Sequence, residues 1–78
     1  MIVGVKIMPL KEILDSQGRA VEKLFDQHGK KVNQVRVGRY VELDLPANSQ
    51  EQAFAQAKEL AQFVLCNPLV ENFEIEIK

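Results

Sequence analysis

Cysteine is almost missing from this chain: Cys66 stands alone among 78 residues, so no disulfide can staple the fold. Histidine is as scarce, and His28 lies too far along the sequence from Cys66 for the two to begin a metal centre. No apolar run approaches the roughly twenty residues that a membrane helix needs. The first residues, Met1 to Lys6, lack the charged start and long apolar stretch of a signal peptide. An excess of one charge is also lacking, with ten Lys plus Arg against eleven Asp plus Glu. Balanced charge gives no basic footprint for nucleic acid and no polybasic membrane segment. A lone thiol without a targeting signal points to a reducing, cytoplasmic setting. A domain this short buries only about 60% of the surface its unfolded chain exposes. With disulfide and metal excluded, oligomerisation is the remaining means of completing its core.

What is present reads as one domain, residues 1–78, of alternating elements. Val3, Val5 and Ile7 alternate with Gly4 and Lys6, a strand ending at Pro9. Leu10 to Asp15 is a connector. Asp15 and Ser16 are both good N-caps for a first helix, whose apolar stripe is Val21, Leu24, Phe25 and His28. Gly29 sits where a helix ends. Across residues 33–45, Val35, Val37, Val41, Leu43 and Leu45 hold odd positions, and polar residues hold most even ones. A two-residue turn at Gly38-Arg39 would pair Val35 with Glu42 and mix the faces. Two solutions keep the phase: a three-residue turn pairing Val37 with Val41, or one long strand bent at Gly38. Both stay open, with the long bent strand preferred.

Ser49 and Gln52 form a capping box at the start of a second helix. Its expected stripe is Phe54, Ala57, Leu60, Ala61, Val64 and Leu65, and Asn67-Pro68 ends it. Val70, Phe73, Ile75 and Ile77 then alternate with glutamates in a last strand. The expected fold is α+β: two strand-helix-strand halves, an antiparallel sheet and both helices packed on one face.

A search for chemistry finds no pair to carry it. His28, on the core-side stripe at a helix end, reads as a partly buried residue favourable to the dipole. Cys66, at a helix C-terminus, reads as packing. The glycines have neither common phosphate-loop spacing. Glu71, Glu74 and Glu76 read as the charged face of an edge strand. No catalytic residue and no metal ligand is expected.

Two segments are poorly explained by the core. The connector carries Lys11, Asp15, Gln17 and Gly18, with apolar Ile13 and Leu14 read as a staple at the helix entry. A glycine at position 18 suggests close approach of another backbone. The second segment is Arg36, Gly38, Arg39 and Tyr40, residue types that anchor interfaces. These eight positions are the candidate partner-binding residues.

Taken in order, Lys11-Glu12, Leu14-Asp15-Ser16-Gln17-Gly18 with Ala20, Val35-Arg36-Val37-Gly38-Arg39-Tyr40 with Glu42-Leu43, and Leu65, Asn67-Pro68, Val70-Glu71 and Phe73 resemble the PurS-type small subunit of phosphoribosylformylglycinamidine synthase. Ser16 stands where that family usually has proline, and serine can still open a helix. The resemblance implies a subunit of an ATP- and glutamine-dependent ligase of purine biosynthesis. In such a complex a large synthetase subunit uses ATP and magnesium and a glutaminase subunit supplies ammonia. The small subunit binds both, helps ammonia pass, forms a homodimer or tetramer, and carries no cofactor. A competing reading is a stand-alone regulatory homodimer that binds a small molecule. An RNA-binding module is disfavoured by neutral charge and by the lack of paired aromatics on a strand.

Overall fold

The computed structural model describes all 78 residues. Strand β1, Ile2–Pro9, is central in a three-stranded antiparallel sheet of order β2-β1-β3, with β2 at Arg39–Asp44 and β3 at Glu71–Ile77. In β1 the alternation works as expected: Val3, Val5 and Ile7 are fully buried while Lys6 points to solvent. The other face carries Tyr40, Glu42, Glu74 and Glu76, with Lys6 bonded to Glu76 at 3.0 Å.

Helix α2, Gln50–Leu60, starts at Ser49, whose hydroxyl accepts the Gln52 N–H. The Gln52 amide reaches back one residue further than the usual box, accepting from Asn48 N–H. A wide π-turn, Ala61–Leu65, continues the helix, and Cys66 N–H bonds Ala61 O at 2.9 Å. The inward line differs from the expected stripe. Ala53, Ala57 and Ala61, at i, i+4 and i+8, are completely buried against Val3, Val5, Ile7 and Leu45, whereas Phe54, Leu60 and Val64 are exposed. Methyl groups let the helix lie close to the sheet, and that closeness turns the larger side chains outward.

Helix α1, Ser16–Gln27, departs from expectation more strongly. It does not pack on the sheet; only α2 covers it, lying mainly over β1 and β3. Leu24 is 54% exposed, and Phe25 and His28 are also exposed, so the stripe faces solvent and His28 is not partly buried. Ile13 and Leu14 are exposed too and do not form a staple. The cause is the path of the chain. Residues 34–38 run into β2 without a hydrogen-bonded turn at Gly38, and regular pairing starts only at Arg39, because the next ladder position would set Val37 against Pro9, which has no N–H, and the Val37 N–H goes to Asp15. The expected strand over 33–45 is therefore six residues long. Nothing returns α1 over the sheet. The protomer is 49 Å long with a radius of gyration of 15.6 Å, against about 11–12 Å for a compact chain of this length.

Candidate functional site at the junction of arm and sheet

Residues 10–38 form an arm, and its root is built by one carboxylate. Asp15 caps α1: Oδ1 accepts the Gly18 N–H and Oδ2 accepts the Val37 N–H, both at 2.8 Å. These two donors, Gly18 first and then Val37, hold its pKa below the ordinary aspartate value. Glu22, two turns further along, accepts the Val35 N–H at 3.1 Å. Gly18 is buried because a Cβ there would lie 2.3 Å from the Val35 carbonyl oxygen. The close backbone approach suggested by that glycine is thus made within the chain.

Arg36 donates to the Pro9 carbonyl and ties the arm to the end of β1. At Gly38 the chain passes so near β1 that a Cβ would meet the Ile7 carbonyl oxygen at 2.3 Å. Arg39 Nη2 donates to Leu65 O at 2.9 Å and to Glu71 Oε1 at 2.7 Å, fastening the start of β2 to the π-turn and to β3. Glu71 also accepts the Asn67 N–H at 2.9 Å, so it serves the helix end and not a free edge face. Tyr40 stands apart on the opposite face, its ring over Gly4 and 5.1 Å from the Lys78 ammonium.

Of the eight candidate residues, Asp15, Gly18, Arg36 and Gly38 meet at the arm root and Arg39 adjoins it. Lys11 and Gln17 are exposed and make no side-chain hydrogen bond. An open cleft of about 660 Å³ lies between connector, α1 and residues 33–36, with Lys11, Arg19, Lys23 and Arg36 facing Asp15 and Glu22. Its charges are mixed, and three of them, Asp15, Glu22 and Arg36, are already used to hold backbone. Elsewhere, burial pushes the Cys66 thiol upward in pKa, Glu71 adds to this and Arg39 opposes it, so the thiol is a poor nucleophile. No group of three or more His, Cys, Asp or Glu could hold a metal.

Two features escape a reading of the sequence alone. Glu22 sits in an ordinary helix and has no signal except its place seven residues after Asp15, on the same face. Phe63, Val64 and Leu69 form a second apolar surface, 82%, 71% and 82% exposed. The signal was the Ala53, Ala57, Ala61 repeat, which claims the inward face and leaves the larger residues outside.

Comparison with known proteins gives one family. The model described as PurS, phosphoribosylformylglycinamidine (FGAM) synthase, matches residues 2–78. The PurS subunit of phosphoribosylformylglycinamidine synthase from Thermotoga maritima is 28% identical over 73 residues, 92% of this chain and 89% of that protein. The structure of Thermus thermophilus PurS has a TM-score of 0.84 at 32% identity, covering 99% of this chain and 95% of that one. A chain in the structure of PurLQS from Thermotoga maritima has a TM-score of 0.88 at 26% identity, covering 97% and 95%.

Proposed function

The chain belongs to the PurS family, and from that premise we propose that it is the non-catalytic small subunit of phosphoribosylformylglycinamidine synthase. In this reading it pairs with itself, binds the large synthetase subunit and the glutaminase subunit, and helps ammonia pass from one to the other. ATP and magnesium act on the synthetase. The chain supplies surface, not chemistry.

The observation that carries this reading is how little of the chain's apolar surface is used internally. Only ten of 78 residues are buried, and all are apolar or glycine. Two apolar surfaces remain, one on α1 with Leu24 and Phe25, the other at the π-turn with Phe63, Val64 and Leu69. Exposed apolar patches beyond those of ordinary monomers mark interaction sites. Two such patches, one on the arm and one at the π-turn beside the arm's root, suit a subunit that has more than one neighbour. The relative in the PurLQS structure supports a place in that complex.

The test is reconstitution with the synthetase and glutaminase subunits. Glutamine-dependent amidation should need this chain, while amidation from added ammonia should need it less. The chain alone should hydrolyse neither glutamine nor ATP. Equal glutamine-dependent rates with and without it would end the proposal.

A further inference from the structure

The near-neutral charge of the chain conceals a division between arm and body. Residues 10–38 carry six Lys or Arg against four Asp or Glu, a net +2, and the rest of the chain carries four against seven, a net −3. The arm's excess gathers at the open cleft between connector, α1 and residues 33–36, whose lining has four cations and two carboxylates. Both carboxylates are engaged: Asp15 accepts two backbone N–H groups and Glu22 accepts a third, all from the arm itself. Of the cations, only Arg36 has a partner, the Pro9 carbonyl. The side chains of Lys11, Arg19 and Lys23 are exposed and bond to nothing within the chain, and all four ion pairs of the protein lie in the body. Three free cations thus line one cleft whose own carboxylates are already committed.

We propose that this cleft seats an extended acidic segment of one of the larger subunits, with carboxylates alternating with apolar side chains. This rests on the reading above that the chain binds the synthetase and glutaminase subunits, and it gives one such contact a place and a chemistry. Spacing sets the form of the segment. Arg19 and Lys23, four residues apart on α1, are separated by about 6 Å along the helix axis. Side chains two residues apart on an extended strand share a face and are separated by about 6.6 Å. One carboxylate can therefore meet Arg19 while another, two residues on, meets Lys23. The side chain between them points away from α1, and the connector wall offers it the exposed Ile13 and Leu14. Lys11 stands on that same connector for a further carboxylate. A small free anion would engage the cations and leave the apolar wall bare, so the lining fits a chain segment better. Exposed charge pairs set encounter rate and register more than strength. The cleft thus steers a partner into place, while the apolar surfaces described above supply the holding contact.

Carbodiimide cross-linking, which joins a lysine amine directly to a carboxylate in contact with it, tests this on the chain reconstituted with the synthetase and glutaminase subunits. Mass spectrometry of the digest should find Lys11 and Lys23 joined to acidic residues of one short segment of one larger subunit. Links to the larger subunits from Lys30 and Lys31 alone, or cleft lysines joined only to carboxylates of this chain, overturn the proposal. The combined variant Lys11→Gln, Arg19→Gln, Lys23→Gln should bind that subunit about tenfold more weakly at low salt, with a shallower salt dependence. A control, Lys30→Gln with Lys31→Gln, should bind as the unmodified chain does. None of these five side chains is bonded within the chain, so melting temperatures should stay within a few degrees. Unchanged affinity and salt dependence in the triple variant overturn the proposal. So does binding of inorganic phosphate or glutamate to the isolated chain that the triple variant loses while its complex forms normally, which would assign the cleft to a small anion. The cross-links are read on the unmodified chain and stand even if the variant fails to fold. An unmodified chain that joins neither subunit overturns the reading beneath the proposal, and the proposal with it.

Discussion

The two halves of this molecule use the same alphabet to different ends. In the body, Val3, Val5 and Ile7 alternate on β1 and meet a line of alanines on α2, so every inward position is filled. In the arm, Leu24 and Phe25 lie three and four residues beyond Val21, as good a helical stripe as any, yet stay 54% and 38% exposed. The arm's own bonds are polar and local to its root: Asp15, Glu22 and Arg36, each bonded to backbone. Hydrophobic burial thus holds the body, and carboxylate-to-amide bonds aim the arm. Amphipathic periodicity states that a face wants cover. It does not state which chain provides the cover.

The contrast is sharpest at equal chemistry. Ile7→Ala removes a side chain only 1% exposed, and such core truncations cost about 2–5 kcal/mol. A domain of this size loses about 4–8 °C in melting temperature per kcal/mol, so the variant should melt roughly 8–40 °C lower. Leu24→Ala should shift the isolated protomer within about 0.5 kcal/mol and should act on self-association instead. Thermal melts run across a dilution series separate the two. A large, concentration-independent loss for Leu24→Ala would erase the distinction between arm and body.

Next in size is Gly18→Ala. A Cβ there would sit 2.3 Å from the Val35 carbonyl oxygen, and overpacking of this kind costs about 1–3 kcal/mol. Because the clash lies at the arm root, amide exchange should quicken at Val35 and Val37 while β1 and β3 keep their protection. Loss of protection throughout would mean that arm and body unfold as one unit.

The strands, the cap at Ser49, the end of α1 at Gly29 with φ +71° and the need for a close approach at Gly18 were all legible in the sequence, because alternation, a capping box and a glycine within a helix are local signals, even where the partner, such as Val35 for Gly18, is distant. Placement of α1 was not. Its stripe is local information, but whether it folds back is decided by residues 34–38, where hairpin and straight path keep the same parity. The inward face of α2 was misread for another reason. Phe54, Leu60 and Val64 outweigh alanine on any hydropathy count, yet the sheet's closeness selects the methyl groups. Among the candidate site residues, Asp15, Gly18, Arg36 and Gly38 do converge, although Glu22 and the Pro9 carbonyl complete the cluster and carry no sequence signal. Arg36 and Arg39, expected as free anchors, are already bonded within the chain.

A smaller effect probes the aim of the arm alone. Asp15 has its pKa lowered by the Gly18 and Val37 amides. Its folded value lies below its unfolded one, near 3.9. Its contribution is therefore complete above that unfolded value and is lost as pH falls through the lower folded value. Acidification below about pH 4 should quicken exchange at Val37 before the sheet opens. Asp15→Asn, whose amide has one oxygen to offer two N–H groups, should show the quickening at neutral pH and remove the acid dependence. An unchanged Val37 rate in the variant would mean that the arm is aimed by packing.

The smallest effect belongs to Arg39, where the body meets the arm. Its guanidinium bonds Leu65 O at 2.9 Å and Glu71 at 2.7 Å, but its side chain is 55% exposed. Exposed pairs contribute about 0–1 kcal/mol, so Arg39→Ala should lower the melting temperature by a few degrees at most. Loss of the cation leaves Glu71 bonded to the Asn67 N–H, which preserves the end of the helix and the start of β3. Removing a nearby positive charge should also raise the Cys66 thiol further, since Arg39 is the one group that opposes its upward shift. Thiol titration beside a melting curve reads both consequences in one variant.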